Sequence, residues 1–277
     1  MLTIAQITDL HITTDKDPKN KVRNTARLRA VLADIEKRSP RPSAIIATGD
    51  LVDRGEPEEY RELESIFADV TIPIHLGLGN HDRRAAFRQV FPKTETDSDG
   101  FVQYATDIGG ILFVMCDTLD EQANGGAFCK KRANWLKRTL KASRRVPTIV
   151  ALHHPPVASG IQWMDPAPGE EWLTRLAGAL EGQRQVQTLI CGHLHRTMHA
   201  KFAGQAVSVS PATSPQLTLN LAPIDMRVPD GREMVVEEPP GYTLLVFENR
   251  ALVTHTCVVG EYPRVLSYKV PFEKGFS

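Results

Sequence analysis

Short polar blocks recur in one order along the chain, and their residue types are those of a metal centre. Each block joins aspartate, asparagine or histidine at close spacing, and most blocks follow an apolar run of strand character. The blocks read Asp9-x-His11, Gly49-Asp50-x-x-Asp53, Gly79-Asn80-His81-Asp82, His153-His154 and Gly192-His193-x-His195. One such block could arise by chance. Five in order indicate a shared site with enough ligands for two metal ions.

The position of the blocks relative to the apolar runs explains how they could meet. In an open α/β sheet, ligands bind beyond the carboxyl ends of the strands. The first three blocks follow the first three apolar runs, and His153 and His193 end two later runs. A glycine opens three of the blocks, where the backbone must turn sharply beside a ligand. One edge of a sheet can therefore collect all five blocks.

The first half of the chain alternates predicted strands with predicted helices. Residues 2–8, 44–48 and 72–78 are apolar runs of strand length. Residues 22–37 have helical spacing, and Pro57 opens a second helix at a position that tolerates proline. This alternation predicts parallel strands with helices that cover the sheet.

The second half predicts a hairpin, two more helix–strand units and a strand-rich ending. The hairpin strands flank Gly109-Gly110, and the helices cover 132–142 and 170–180. We expect this ending to be antiparallel. The predicted strands of the second half are 101–105, 111–116, 148–152, 188–191, 205–210, 243–247, 252–259 and 265–268.

The predicted fold class is α/β, with two packed mixed β-sheets (a β-sandwich) flanked by helices. We expect one domain over residues 1–277, because no linker or internal repeat is visible. Residues 212–241 contain five prolines and little periodicity, which predicts a long loop. Such loops often act as lids or specificity elements. The alternative is a solvent-exposed loop without a function.

Composition narrows the class of protein and its partners. The hydrophobic fraction is 42%, the charged fraction is 24% and the formal net charge is zero. A neutral chain without a basic stripe disfavours binding to extended nucleic acid. Four scattered cysteines disfavour a disulfide framework, and no apolar stretch reaches the roughly 20 residues of a membrane span. We expect a cytoplasmic protein without a membrane partner.

The ordered set of blocks resembles the calcineurin-like metallophosphoesterase superfamily. The resemblance spans Asp9 to His195, about two-thirds of the chain. It implies two metal ions that share one aspartate. It also implies that His81 binds no metal, faces the substrate and is catalytic, and that Asn80 contacts the substrate. The implied ligands of the first ion are Asp9, His11, Asp50 and His195. Those of the second ion are Asp50, Asn80, His153 and His193.

The implied ligand set also bears on the metal and the mechanism. Imidazoles with carboxylate and amide oxygens suit Fe, Mn, Zn or Co better than Ca or Mg, and we favour Mn²⁺ or Fe²⁺. In the expected mechanism, a metal-activated hydroxide attacks phosphorus while His81 stabilises charge and protonates the leaving alkoxide. Asp82 could orient His81 or be structural. His154 could support the site or face the substrate.

The sequence does not decide which phosphoester is the substrate. The blocks are similar to those of bacterial class III cyclic nucleotide phosphodiesterases and glycerophosphodiesterases. We therefore expect a metal-dependent phosphodiesterase whose partners are small phosphodiesters, with 3′,5′-cyclic nucleotides first. A phosphomonoesterase is the main alternative, and a non-catalytic scaffold is a remote one. The terminal strands could also support a homodimer or higher homo-oligomer.

Overall fold

The first sheet of the molecule is mixed. The computed structural model describes residues 1–14, 18–263 and 265–267, without the side chains of residues 18–22. In spatial order, the sheet consists of Ala251–Val258 (β13), Gly241–Glu248 (β12), Leu2–Ile7 (β1), Ile45–Thr48 (β2) and Ile74–Gly77 (β3). Strands β1, β2 and β3 run parallel, and β12 runs antiparallel to both β1 and β13.

The second sheet is also mixed, with antiparallel strands at its two edges. In spatial order, it consists of Tyr104–Ile108 (β4), Ile111–Met115 (β5), Thr148–Ala151 (β6), Val186–Cys191 (β7), Gln205–Val209 (β9) and Met198–Phe202 (β8). The antiparallel direction predicted for 205–210 is wrong with respect to β7, because β9 pairs with β7 in parallel. The chain leaves β7, forms β8 at the edge and turns back, which places β9 between them.

Helices cover the outer faces of the two sheets. Leu28, Val31 and Ile35 of the first helix belong to the same core cluster as β1 and β2, whereas Leu136 and Leu176 belong to the core beneath the second sheet. The short third helix was not predicted. The helices are Pro18–Glu36 (α1), Pro57–Phe67 (α2), Arg84–Val90 (α3), Lys130–Ala142 (α4) and Glu171–Leu180 (α5).

Alternation along β5 shows how the layers are built. Phe113 and Met115 point into the core shared with the first sheet, and Val114 points into the core shared with α4 and α5. Successive side chains of a strand face opposite sides, so a strand buried on both faces reads as a continuous apolar run. Two packed mixed sheets flanked by helices are therefore present, and the predicted fold class is confirmed.

Five strands end where the polar blocks begin, which places the blocks along one edge of the sandwich. Strands β1, β2, β3, β6 and β7 each lead into one block. Within residues 212–241, Gln216–Leu217 (β10) and Val235–Val236 (β11) form a short antiparallel pair, so this segment is not entirely loop. Residues 265–267 lie in no strand, contrary to prediction, and position 268 lies outside the described residues. Among the described helices, none has the length and apolarity to cross a membrane.

Candidate metal centre and its cavity

One group of predicted ligands converges at the ends of β1, β2 and β7. Single ligand atoms from its four members all lie within 4.8 Å of one another. His11 Nε2 and His195 Nε2 are 3.2 Å apart, and Asp9 Oδ1 is 3.4 Å from His195 Nε2. The members are Asp9, His11, Asp50 and His195.

A second group meets beside the first and shares Asp50 with it. Asn80 Oδ1 lies 3.0 Å from His193 Nδ1 and 3.2 Å from His153 Nε2. Asp50 Oδ2 lies 3.2 Å from His153 Nε2 and 3.6 Å from His11 Nε2. Asp50 therefore stands between the two groups, where a carboxylate could bridge two ions.

Backbone carbonyls fix which nitrogen of two histidines faces the centre. His153 Nδ1 donates to Thr48 O at 2.9 Å, and His195 Nδ1 donates to Pro215 O at 2.8 Å. A carbonyl only accepts, so Nδ1 carries the proton in both rings and Nε2 is left for the centre. Metal-binding histidines in proteins are commonly oriented in this way.

The backbone at the centre is strained in a way that the sequence does not reveal. Eight non-glycine residues of the described chain have a positive φ, and five of them are predicted ligands. This conformation costs a non-glycine residue about 1 kcal/mol or more, and it concentrates at functional sites. The five are Asp9 (φ 51°), His11 (45°), Asp50 (48°), His193 (71°) and His195 (47°).

Two glycines let the motif loops approach one another. A Cβ on Gly192 would lie 1.9 Å from Thr8 Oγ1 and 2.9 Å from Asp9 Oδ2. A Cβ on Gly79 would lie 2.3 Å from Asp50 Oδ1. Each of these contacts is too short for any side chain, so glycine is required here by space.

The electrostatics of the centre favour bound cations. Burial opposes the charge of Asp50, but the neighbouring His153 imidazole outweighs it and holds the pKa of Asp50 well below its usual range. Burial likewise opposes protonation of His153, and attraction by Asp50 raises the pKa of His153 to about 9. Burial and the field of His153 together lower the pKa of His193 to about 3. Asp50 therefore stays ionised and draws positive charge into the centre.

The donor atoms fit a pair of transition-metal ions. His11 Nε2 and His195 Nε2 face each other at 3.2 Å, and two imidazole nitrogens at this distance need a proton or a cation between them. Asn80 Oδ1, an acceptor only, faces two further imidazoles. Mixed imidazole, carboxylate and amide ligands suit Fe, Mn, Zn and Co. The assignment of individual ligands to two ions stays a prediction.

His81 lies at the rim of this centre with one nitrogen free for a substrate. Its Nδ1 donates to Asp53 O at 2.7 Å, and its side chain is 39% exposed. Its backbone N–H donates to Asp50 Oδ1 at 2.8 Å, which couples its position to the shared carboxylate. Asp53 belongs to the second polar block but not to the implied ligand set, and its Oδ1 lies 3.4 Å from His11 Nδ1.

Asp82 joins the motif loops. Its carboxylate accepts hydrogen bonds from Gly79 N at 2.8 Å, Leu51 N at 3.2 Å and the Tyr60 hydroxyl at 2.9 Å. Burial, reinforced by Asp50, raises the pKa of Asp82 to about 7. Of the two roles considered for Asp82, these contacts favour the structural one, since the His81 ring is held by Asp53.

His154 supports the centre with both of its ring nitrogens. Its Nε2 donates to Asn124 O at 3.2 Å, so its Nδ1 accepts from the Thr118 hydroxyl at 2.8 Å. Its ring packs against those of His153 and His193, with centroids 4.8 and 4.7 Å away. With both nitrogens used, His154 is placed to position the two neighbouring rings.

The centre opens into a cavity of about 370 Å³, the metal-side cavity. Six predicted site residues line one side: His11, Asp50, Asn80, His81, His193 and His195. Leu217, from the predicted lid or specificity loop, also lines the cavity. The other five lining residues were not connected with the site by sequence reasoning: Asn124, Gly125, Trp163, Met164 and Asp165. They lie in stretches without periodicity, and only the folded chain brings them to the cavity.

A second cavity of about 280 Å³ adjoins the first. The two cavities share three lining residues, His11, His81 and His195. Most residues that line the second cavity are polar, and they include Arg23, Asn24 and Ser214. A ligand at the three histidines could therefore extend to either side.

Comparison with known proteins agrees with the motifs and the fold. The family model for calcineurin-like phosphoesterases matches residues 2–197. A probable cyclic nucleotide phosphodiesterase of Rhodopseudomonas palustris is 32% identical over 238 residues, covering 83% of each chain. A probable glycerophosphodiester phosphodiesterase of Arcobacter nitrofigilis is 27% identical over 264 residues, covering 94% of each. A dimetal phosphatase from Danio rerio shares the fold, with a TM-score of 0.65 at 14% identity over 94% of this chain and 97% of that chain.

Proposed function

Because the chain belongs to the calcineurin-like phosphoesterase family, we propose that it hydrolyses small phosphodiesters with two divalent metal ions, 3′,5′-cyclic nucleotides first. Family membership makes it a phosphoester hydrolase, as predicted. The curated relatives described above carry the names of a cyclic nucleotide phosphodiesterase and a glycerophosphodiester phosphodiesterase, which supports a diester as substrate.

The charge of the metal-side cavity carries the choice of a diester over a monoester. The lining residues that the structure describes include neither lysine nor arginine, and they include Asp165. A phosphodiester carries one negative charge at neutral pH, whereas a phosphomonoester approaches two. Arg23 lines the adjoining cavity, where it pairs with Glu237, so the metal-side cavity itself has no cationic lysine or arginine and suits the singly charged diester.

The proposed metal ligands are those of the two convergent groups. Bound divalent ions would supply positive charge for the phosphoryl oxygens and a nucleophile at neutral pH. Mn²⁺ and Fe²⁺ are the first candidates, since both accept mixed nitrogen and oxygen ligands. The groups are Asp9, His11, Asp50 and His195, and Asp50, Asn80, His153 and His193.

His81 is the proposed proton donor to the leaving alkoxide. Its Nδ1 is engaged with Asp53 O, so Nε2 is the nitrogen available to a ligand in the cavity. A histidine so placed can stabilise a phosphoryl oxygen and then pass a proton to the departing oxygen. The neighbouring Asn80 is proposed to contact the same phosphoryl group.

Glycerophosphodiesters are the second candidate substrates, and the second cavity favours them. Such diesters have two separate alcohol arms, whereas a cyclic nucleotide joins both ester oxygens to one ribose. Asn24 lines the second cavity beside the shared histidines, and its side-chain amide could hydrogen-bond a hydroxyl of a glycerol arm.

Residues 212–241 are proposed to form the specificity segment of a single catalytic domain. Leu217 lines the metal-side cavity, and Pro215 and Val235 line the second cavity. Arg27 anchors the segment by donating to Thr213 O, Ser214 O and Glu238 O at 2.8–2.9 Å. Shortening the segment should shift the preference between cyclic nucleotides and glycerophosphodiesters more than it changes activity on a chromogenic diester.

Two further predictions concern the molecule's surroundings. A homodimer is proposed through β13, an edge strand whose Val253 and Val258 are 47% and 49% exposed. Sedimentation velocity on the wild type and a V253K/V258K variant would test it, since the variant should be monomeric.

A cytoplasmic location stays a prediction.

The first test compares bis(p-nitrophenyl) phosphate with p-nitrophenyl phosphate, with added Mn²⁺ and with chelator. Metal-dependent preference for the diester supports the proposal. Preference for the monoester makes the protein a phosphomonoesterase. No hydrolysis of either substrate, together with purification without stoichiometric metal, would favour a non-catalytic scaffold.

A second test separates the role of His81 from metal binding. His81→Ala should reduce kcat for the diester by about 100-fold or more, because it removes a general acid, while bound metal per chain changes little. Elemental analysis of the purified variant supplies the metal content. Equal loss of metal and turnover would show that His81 is a ligand or a structural residue.

A further inference from the structure

Trp163 differs from the other two tryptophans of the chain in what it contacts. Trp172 is 5% exposed and belongs to the core between the second sheet and its helices, and Trp135 packs against the same core. Trp163 belongs to neither hydrophobic core of the described residues. It is half-buried and lines the metal-side cavity. Its aromatic surface is therefore available to a ligand.

The turn that carries Trp163 is braced on both sides. Asp165 accepts hydrogen bonds from Ser159 N and the Ser159 hydroxyl, each at 2.6 Å, and from Gly160 N at 3.0 Å. Met164 N donates to Ile161 O at 2.8 Å. These bonds close the turn and hold the Asp165 carboxylate against it.

Neighbouring contacts tie this turn to the rest of the site. The Met164 side chain packs against the core of the second sheet, and Gln162 Oε1 accepts from Ile224 N at 3.0 Å within the specificity segment. The backbone that carries Trp163 is thus held in place by contacts on both sides of it. Preorganised aromatic rings make good stacking surfaces, because little conformational freedom is lost on binding.

The cavity lining combines metal-binding groups with apolar surface. The site histidines, Asp50 and Asn80 belong to this lining, and Trp163, Met164 and Leu217 contribute apolar surface to it. A ligand whose phosphate reaches His81 would place its organic part against the apolar surface. A flat aromatic group gains most from such a surface.

We propose that Trp163 stacks on the nucleobase of a 3′,5′-cyclic nucleotide and so determines the preference for nucleotides over aliphatic diesters. This inference rests on the proposed function. Stacking of a base on an aromatic side chain is sequence-tolerant, because every base offers a π-face. Trp163 should therefore favour purine and pyrimidine cyclic nucleotides alike. A glycerol or ethanolamine arm has no such face and gains little from the ring.

The test compares Trp163→Ala and Trp163→Phe with wild type on cyclic AMP and glycerophosphoethanolamine. Loss of a stacked base corresponds to about a 5- to 100-fold loss in affinity. Trp163→Ala should lower kcat/KM for cyclic AMP about fivefold or more beyond any loss for glycerophosphoethanolamine, mostly through KM. Trp163→Phe should recover much of the difference. Trp135→Phe is the matched control and should retain wild-type selectivity.

Fluorescence gives a second readout that does not depend on turnover. A cyclic nucleoside phosphorothioate should quench the tryptophan emission of the wild type and of Trp135→Phe, whereas Trp163→Phe should show little quenching. Folding of each variant is checked by its melting temperature. Parallel losses on both substrates by Trp163→Ala, or undiminished quenching in Trp163→Phe, would overturn the inference. If the wild type hydrolyses no diester at all, the proposed function has failed first.

Discussion

Gly192→Ala is the perturbation whose effect follows most directly from the structure. The new Cβ would lie 1.9 Å from Thr8 Oγ1, 2.9 Å from Asp9 Oδ2 and 3.0 Å from Thr8 Cβ. Thr8 Oγ1 is buried and has no hydrogen-bond partner in the described part of the protein, so moving it breaks no hydrogen bond. The Asp9 carboxylate cannot yield as easily, because it accepts from His193 N at 3.1 Å.

The expected magnitude combines overpacking with displacement of a ligand. Overpacking of a dense site costs about 1–3 kcal/mol, and 1 kcal/mol shifts the melting temperature of a domain of this size by about 2–4 °C. The melting temperature should fall by about 2–12 °C. Displacement of Asp9 should also weaken metal binding by about 10-fold or more, as loss of a supporting contact at a metal site commonly does.

The assay measures melting temperature with and without added Mn²⁺, and bound metal per chain by elemental analysis. Gly178→Ala is the matched control. A Cβ on Gly178 would meet no heavy atom within 4 Å, and Gly178 lies inside α5. Alanine there should stabilise the protein by about 0.5–1 kcal/mol, because it favours the helix.

A double variant isolates the cause of the loss. Thr8→Ala removes the Oγ1 atom that is closest to the new Cβ, so it should restore part of the stability lost in Gly192→Ala. The two substitutions should therefore be non-additive, as expected for residues in contact. A Gly192→Ala protein with wild-type melting temperature and full metal content would refute the steric reasoning.

Three other substitutions test the surrounding network. Asp50→Asn should remove both metal ions, since it takes the charge from the carboxylate that lies between the two ligand groups; retention of two ions per chain would contradict this. Tyr60→Phe removes the buried hydroxyl that donates to Asp82. It should lower the free energy of unfolding, measured in urea, by about 1–3 kcal/mol. An unchanged urea midpoint would argue against a stabilising role for this hydrogen bond. Arg27→Met should speed proteolysis within residues 218–234 by releasing the specificity segment, and equal cleavage rates would show that Arg27 is no anchor.

The sequence was most informative where local and global signals agreed. Apolar runs buried on both faces predicted β1, β2, β6 and β7, because few other structures bury every residue of such a run. Polar blocks after these runs indicated the common edge at which they meet. Residue type and order together were enough to place the candidate centre.

The errors and omissions arose where long-range pairing decides the structure. Strand β8 alternates half-buried and exposed residues at a sheet edge, so its apolar signal is weak. The direction of β9 depends on which neighbour it joins, and a single strand does not encode that choice. Asp53 and Trp163 lie outside any periodic element, and their contacts with the site exist only after distant segments pack together.

The left-handed backbone at five predicted ligands has a consequence for the directed evolution of this protein. At each position the left-handed backbone costs about 1 kcal/mol of stability, which glycine would remove and asparagine would remove in part. A library selected for heat resistance alone should therefore tolerate glycine or asparagine at these five positions more readily than at buried positions with ordinary φ, and lose metal binding with each step. Selection that also demands turnover should leave them untouched and find its gains on the helices. The positions are Asp9, His11, Asp50, His193 and His195.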